Sequence, residues 1–305
     1  MNRSTLGIAI ILAALPLVAL AQVPPHIAAE LEKIGRVVDA ANTRALYEAD
    51  QELMPVAGVG VERNIAYGPH ELNTMDVFFS DPDRGTGKPV IVFAHGGGFT
   101  GGSKHRDGSF TYDHYMIWAV ENGIVGVNMD YRLAPDDPWP AAQLDLAAVI
   151  AWTKDNIARY GGDPNKIVLS GQSAGAGLVA NHVGHLQFHG PDGIGVVAAH
   201  FSSGSYEVTG PSAYYGDDPA LFAERSSLPG IVASGLPLMI NRAELDPPEI
   251  AEQNDKLRDA LCAAGRCPVF VLSEDHNHNS QLYAIRTGDT TITAPLLEFI
   301  RAHTN

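Results

Sequence analysis

Apolar and polar positions along the chain settle into two recurring patterns. Short continuous apolar runs at Pro89–Ala94, Ile124–Asp130, Ile167–Gly171, Gly195–His200, Leu236–Asn241 and Pro268–Leu272 read as buried strands. Between and after them, Tyr112–Asn122, Pro140–Tyr160, the segment following Ser173, Glu249–Ala264 and Ala294–Ala302 read as helices. Buried strands alternating with amphipathic helices predict an α/β fold, a mostly parallel central sheet with helices on both faces and its chemistry at the carboxyl ends of the strands. Val61–Tyr67 and Leu72–Phe79, joined at Gly68-Pro69, predict an antiparallel N-terminal hairpin. Ahead of it, Ile27, Leu31, Ile34, Val37 and Val38 recur at helical spacing, so Pro25–Met54 is expected to form one or two helices that cap the site or pad the sheet. The irregular stretch Phe201–Gly235 is too long for a connector and is expected to hold short helices near the site.

The chain start changes the picture of where this domain begins. Asn2-Arg3, an apolar run from Leu6 to Leu20 and the small residues of Ala19-Leu20-Ala21 describe a secretory signal peptide cleaved after Ala21. A retained membrane anchor is the alternative, disfavoured by the short run and by Pro16 within it. The expected organisation is therefore residues 1–21 as a signal peptide and 22–305 as one α/β domain, with 22–55 as cap helices, in a secreted or periplasmic protein. With 35 Asp and Glu against 20 Lys and Arg, the formal net charge of −15 argues against nucleic acid and anionic membrane surfaces as partners. The two cysteines, Cys262 and Cys267, are expected to pair in an oxidising compartment; without a second ligand pair nearby they do not suggest zinc.

Candidate chemistry centres on Gly171-Gln172-Ser173-Ala174-Gly175, a G-x-S-x-G sequence between an apolar run and a helical pattern. In a nucleophile elbow the serine occupies a strained strand-to-helix turn that projects its hydroxyl from the sheet, with the next amide aimed at the same space. Alone the motif is common by chance, and its serine can simply cap a helix. A second element follows strand Pro89–Ala94: His95-Gly96-Gly97-Gly98-Phe99, where consecutive glycines let backbone amides converge on one point.

Together with Tyr131-Arg132-Leu133-Ala134-Pro135 and the turn Gly161-Gly162-Asp163-Pro164, these motifs resemble the hormone-sensitive-lipase-like, or HGGG, carboxylesterase branch of the α/β-hydrolase superfamily. The likeness spans nearly all of the chain after residue 21. It implies that Gly97, Gly98 and Ala174 provide the oxyanion amides and that His95 and the Tyr131–Pro135 stretch hold that loop. Asp246, followed by Pro247 after strand Leu236–Asn241, matches the acid position in the order Ser, Asp, His. Its rival roles are a helix N-cap, and Glu244 is the competing acid. His276 and His278 both follow strand Pro268–Leu272, and their spacing does not choose between them. A helical turn from Ser280 onward favours His278 as general base, with Asn277 and Asn279 fixing the loop and His276 a loop-stabilising or partly exposed residue.

Two departures stand out. Gln172 occupies a position where the family commonly carries an acid, and His276-Asn277-His278-Asn279-Ser280 resembles feruloyl-esterase-like and arylformamidase-like relatives. His182, His185 and His189 have helical spacing but no acidic partners, so no metal is assigned, and Asp145 is expected to be a structural ion-pair or capping residue. The expectation is a cofactor-free serine carboxylesterase acting on small carboxylic esters, with an aromatic or short acyl group suggested by Phe99, Trp139 and Tyr206. The alternatives are an arylformamidase or amidase on the same residues, or a non-catalytic binding protein on the same fold.

Overall fold

The structure, a computed structural model, describes residues 22–191 and 193–305, so the expected signal peptide lies outside the described residues. Eight strands form one sheet: β1 (Val59–Ala66), β2 (Thr74–Ser80), β3 (Lys88–Ala94), β4 (Val125–Met129), β5 (Gly162–Gln172), β6 (Ala198–Ser202), β7 (Leu238–Leu245) and β8 (Val269–Asn277). Their spatial order is β1-β2-β4-β3-β5-β6-β7-β8. β1 and β2 form the expected antiparallel pair, β2 meets β4 antiparallel, and every pair from β4 to β8 is parallel. The order reverses at β3, which has β4 on one side and β5 on the other. The loops after β3 and β5 therefore leave the sheet side by side at a topological switch point, where ligands bind in such folds.

The helices are α1 (Pro25–Ile34), α2 (Ala40–Ala45), α3 (Asp113–Glu121), α4 (Ala141–Asn156), α5 (Ala174–Gly184), α6 (Phe222–Arg225), α7 (Leu228–Ser234), α8 (Pro248–Ala263), α9 (Ser280–Tyr283) and α10 (Thr293–Thr304). Strands buried on both faces need apolar side chains on both sides, which is why they read as unbroken runs. One face presents Val90, Val92, Ile167 and Leu169 to Leu146 and Val149 of α4 and to Leu178 and Val179 of α5. The other presents Ile91, Phe93 and Val168 to Tyr115 and Met116 of α3 and to Leu296 and Phe299 of α10. Each such aliphatic side chain contributes about 1.5–3 kcal/mol on burial.

Three expectations are refined. The N-terminal helical pattern stops at Gly35, so Val37 and Val38 are 51% and 57% exposed rather than core-facing. Phe201–Gly235 does hold short helices, α6 and α7, with a 3₁₀ turn before them. β8 runs five residues past the expected Leu272, ending at Asn277. A register shift between Ala243 and Leu245 lets pairing resume at Leu245 and Asn277, and Asp275 takes a left-handed φ of 61° whose amide donates to Glu244 Oε2 at 2.9 Å. Tertiary pairing with β7 thus recruits a polar stretch that carries no strand pattern of its own. Cys262, near the end of α8, and Cys267, ahead of β8, lie side by side at the end of the sheet away from the β3 and β5 loops.

Candidate active site

Ser173 follows directly on β5 and precedes α5, with φ 56° and ψ −122°. This lies outside the regions an L-residue prefers and costs on the order of 1–3 kcal/mol. The turn is locked by Ser173 N donating to Ser202 O at 2.9 Å and by Gly177 N donating to Ser173 O at 3.0 Å. The flanking glycines are required by close approach. A Cβ on Gly171 would sit 2.2 Å from Gly175 O, and one on Gly175 would sit 2.0 Å from Ala94 O. Strand, helix and the β3 end are pressed together there, and the serine is forced outward.

The structure brings Asp246 and His278 together behind this serine. His278 Nδ1 lies 2.7 Å from Asp246 Oδ1, and both side chains are fully buried. The other carboxylate oxygen of Asp246 accepts from Ser203 Oγ at 2.6 Å and from Ala243 N at 2.8 Å. Asp246 does not cap α8, whose N-cap position is Pro247, and Glu244 points instead to the Asp275 amide. The ring of His278 lines the same cavity as Ser173, and among the described residues its Nε2 has no hydrogen-bond partner. With Nδ1 committed to a carboxylate, Nε2 is the nitrogen left to exchange a proton with a hydroxyl.

His276 sits within β8, fully buried rather than partly exposed. Its Nδ1 pairs with Ser280 Oγ at 2.9 Å and its Nε2 lies 3.0 Å from Asp289 Oδ2. β8 ends at Asn277, so His276 stays on the strand with its ring between Ser280 and Asp289, whereas His278 lies in the turn beyond it. Burial raises the Asp289 carboxyl, but the proximity and charge of His276 together with hydrogen bonding from Thr291 outweigh that and hold it below the ordinary aspartate value. Asn277 fixes the intervening loop as expected, its Oδ1 accepting from Ser280 N at 3.0 Å and its Nδ2 donating to Thr43 Oγ1 at 2.9 Å. Asn279 has no such side-chain bond among the described residues and lines the cavity instead.

Gly97 and Gly98 take left-handed φ values of 127° and 63°. Their amides and that of Ala174 make no hydrogen bond among the described residues and adjoin the cavity around Ser173. Ala174 is the first residue of α5, where the helix dipole adds partial positive charge. The loop is held as expected. Tyr131 donates from its hydroxyl to His95 O at 2.8 Å, its ring stacks on that of His95 at 4.4 Å, and Ala134 N donates to Phe99 O at 2.8 Å. Burial pushes the His95 ring below the ordinary histidine value. Gln172 accounts for its own departure from the family acid. It is buried beside Gly96, and its Nε2 donates to His278 O at 3.3 Å, bridging the glycine loop and the histidine loop.

Two lobes meet at Ser173. The larger, about 540 Å³, runs from Gly96, Gly97, Gln172 and His278 out to Arg106, Tyr283 and Arg44, with Val38, Ala40 and Ala41 of the N-terminal segment at its edge. The smaller, about 210 Å³, lies between Phe99, Tyr214, Tyr215 and Ile250. Of the three aromatic residues expected near substrate, only Phe99 lines either lobe. Trp139 packs behind Tyr214 and Tyr215, and Tyr206 is buried with its hydroxyl on Asn254. Sequence reasoning missed Tyr214, Tyr215 and Ser203, all in the stretch read only as irregular. Ser203 was findable in principle, because it immediately follows a parallel strand. His182, His185 and His189 each bond to a backbone carbonyl, those of Ile194, Asn181 and His182, and Asp145 pairs with Arg132 at 2.8 Å.

A nucleophile elbow, a carboxylate-held imidazole and glycine-rich backbone at a sheet switch point are the features of the α/β-hydrolase fold. A family profile for the α/β hydrolase fold matches residues 91–273, and the chain belongs to that family. It is 28% identical over 247 residues to esterase LipQ of Mycobacterium tuberculosis (strain ATCC 25618 / H37Rv), a match covering 71% of this chain and 56% of that protein. It is 39% identical over 92 residues to carboxylesterase NlhH from the same strain, covering 30% of this chain and 28% of that one. The chain thus spans about half the length of LipQ. Among solved structures, a bacterial heroin esterase superposes with a TM-score of 0.70 at 24% identity, covering 93% of this chain and 98% of that one. A hyperthermophilic esterase from the archaeon Pyrobaculum calidifontis gives 0.64 at 21% identity, covering 92% and 98%.

Proposed function

We propose that this protein is a serine carboxylesterase that hydrolyses small carboxylic esters through an acyl-enzyme. The observation that carries the reading is the buried Asp246–His278 pair, its Nε2 unpaired among the described residues, whose histidine lines the cavity holding Ser173. In this mechanism His278 takes the Ser173 proton as Oγ attacks the ester carbonyl, and the amides of Gly97, Gly98 and Ala174 stabilise the tetrahedral oxyanion. The imidazolium, stabilised by Asp246, protonates the departing alcohol oxygen as the C–O bond breaks. Water, deprotonated by the same imidazole, then attacks the acyl-serine; the second tetrahedral intermediate collapses to the acid and returns the proton to Ser173. The relatives named as esterases and the modest size of the smaller lobe support small esters as substrates.

The test is covalent labelling by a fluorophosphonate combined with turnover of 4-nitrophenyl acetate. Wild-type protein takes one label on Ser173, and Ser173→Ala loses both label and turnover, kcat falling by several orders of magnitude. Near-normal turnover by a folded Ser173→Ala protein refutes the reading. The basic and apolar start of the chain and the meeting of Cys262 with Cys267 support export to a secreted or periplasmic location with a structural disulfide.

A further inference from the structure

The larger lobe has an unusual charge for this protein. Asp and Glu outnumber Lys and Arg by 35 to 20 over the chain, yet no acidic side chain lines the lobe among the described residues, and two arginines do. Arg44 projects from α2, and its only ion pair among the described residues is a 3.5 Å contact with the largely exposed Glu48, the kind of surface pair that binds weakly. Arg106 has no ion pair or side-chain hydrogen bond among the described residues. Its acidic neighbour Asp107 is engaged at 3.2 Å by His105 instead. Both guanidinium groups act on the Tyr283 phenol within the lobe, where they oppose the upward push of burial on its pKa. Two cations thus line one cavity that the reacting serine also lines.

Chemistry decides which half of an ester occupies that lobe. The departing oxygen must receive a proton from His278, and among the described residues His278 lines the larger lobe and not the smaller. The leaving group therefore extends towards the arginines, while the acyl group fits between Phe99, Tyr214, Tyr215 and Ile250. We propose that Arg44 and Arg106 form an anion subsite, so that the preferred substrates are esters of a small acid with an alcohol or phenol carrying a carboxylate or similar oxyanion. The proposal rests on the serine-esterase reading above and specifies its substrate class. Guanidinium groups suit this task because their planar donors match carboxylate geometry.

The experiment compares 4-acetoxybenzoate with its neutral counterpart 4-acetoxybenzamide, each kcat/KM normalised to the ester's alkaline hydrolysis rate. The ratio of anionic to neutral substrate is read for wild type, for Arg44→Gln/Arg106→Gln and for Lys166→Gln, which removes a positive charge in the N-terminal half of β5, outside the lobe. In wild type the ratio exceeds one and falls with added salt. In the double variant it falls by at least about threefold, the size expected for losing two partly exposed charge contacts. In the Lys166 control it stays near wild type. A wild-type ratio at or below one, a smaller fall in the double variant, or an equal fall in the control overturns the proposal. Failure of the esterase reading looks different: neither acetate ester is turned over and the fluorophosphonate does not label Ser173.

Discussion

Replacing His276 and His278 separately by alanine separates chemistry from stability within three residues of sequence. His278→Ala removes the only imidazole, among the described residues, that lines the cavity at Ser173, so its main cost falls on the barrier. A triad histidine is worth roughly four to six orders of magnitude in kcat, or about 5–8 kcal/mol of transition-state stabilisation. His276→Ala leaves that geometry alone but strips Asp289 of a buried partner 3.0 Å away and Ser280 of a hydrogen bond. Breaking a fully buried pair from one side costs about 3–5 kcal/mol of folding stability. At roughly 2–4 °C per kcal/mol for a domain approaching this size, the melting temperature drops by about 6–20 °C.

The assay is single-turnover acylation by 4-nitrophenyl acetate, expressed per folded molecule from a parallel thermal melt and taken well below the midpoint. His278→Ala, which also breaks a buried pair, melts below wild type and fails to acylate; His276→Ala melts early too but acylates within about tenfold of wild type. Should His276→Ala prove too unstable to isolate, Asp289→Asn keeps the shape of the pair and removes only its charge. The reasoning is refuted if a folded His276→Ala or Asp289→Asn protein loses acylation, or if His278→Ala retains it.

Ser203→Ala removes one of the two further donors to the Asp246 carboxylate and also a partner of Gln281 Nε2. Hydrogen bonds to a charged group are worth about 1.5–3 kcal/mol, so urea denaturation shows a loss of that order and kcat falls while KM moves little. Burial lowers the pKa of His114, His182 and His200 from the ordinary 6.5 to about 4. Their unfolded forms bind protons first, so the stability they contribute is intact above pH 6.5 and is lost as pH falls towards 4; urea midpoints should decline across that window, and a flat profile contradicts the assignment. Reducing the Cys262–Cys267 pair opens a very short loop and costs about 2 kcal/mol with activity retained. Two thiols titrating in unreduced, exported protein would show that no such bond forms.

Much of the fold was legible because its determinants are local. Apolar runs marked β3 to β7 within a few residues, and Gly68-Pro69 marked the N-terminal hairpin. The motifs Gly171–Gly175 and His95–Gly98 are similarly local, since each depends on backbone shape within a few residues. Where the reading fell short, partners distant in sequence were responsible. β8 extends through Glu274-Asp275-His276 because β7 resumes pairing beyond a bulge, not because those residues favour a strand. Val37 and Val38 look like part of a helical stripe, yet the helix ends before them.

The sequence by itself determined the alternation of strands and helices, the elbow around Ser173 and the glycine loop after β3, because steric and burial preferences act over short stretches of chain. Only the tertiary structure decided that His278 rather than His276 meets Asp246, that Ser203 and Gln172 brace that pair, and that Arg44 and Arg106 share one lobe. Each of those contacts joins residues tens to hundreds of positions apart. Their meeting depends on strand order, strand register and the packing of the N-terminal segment over the sheet end, none of which periodicity encodes.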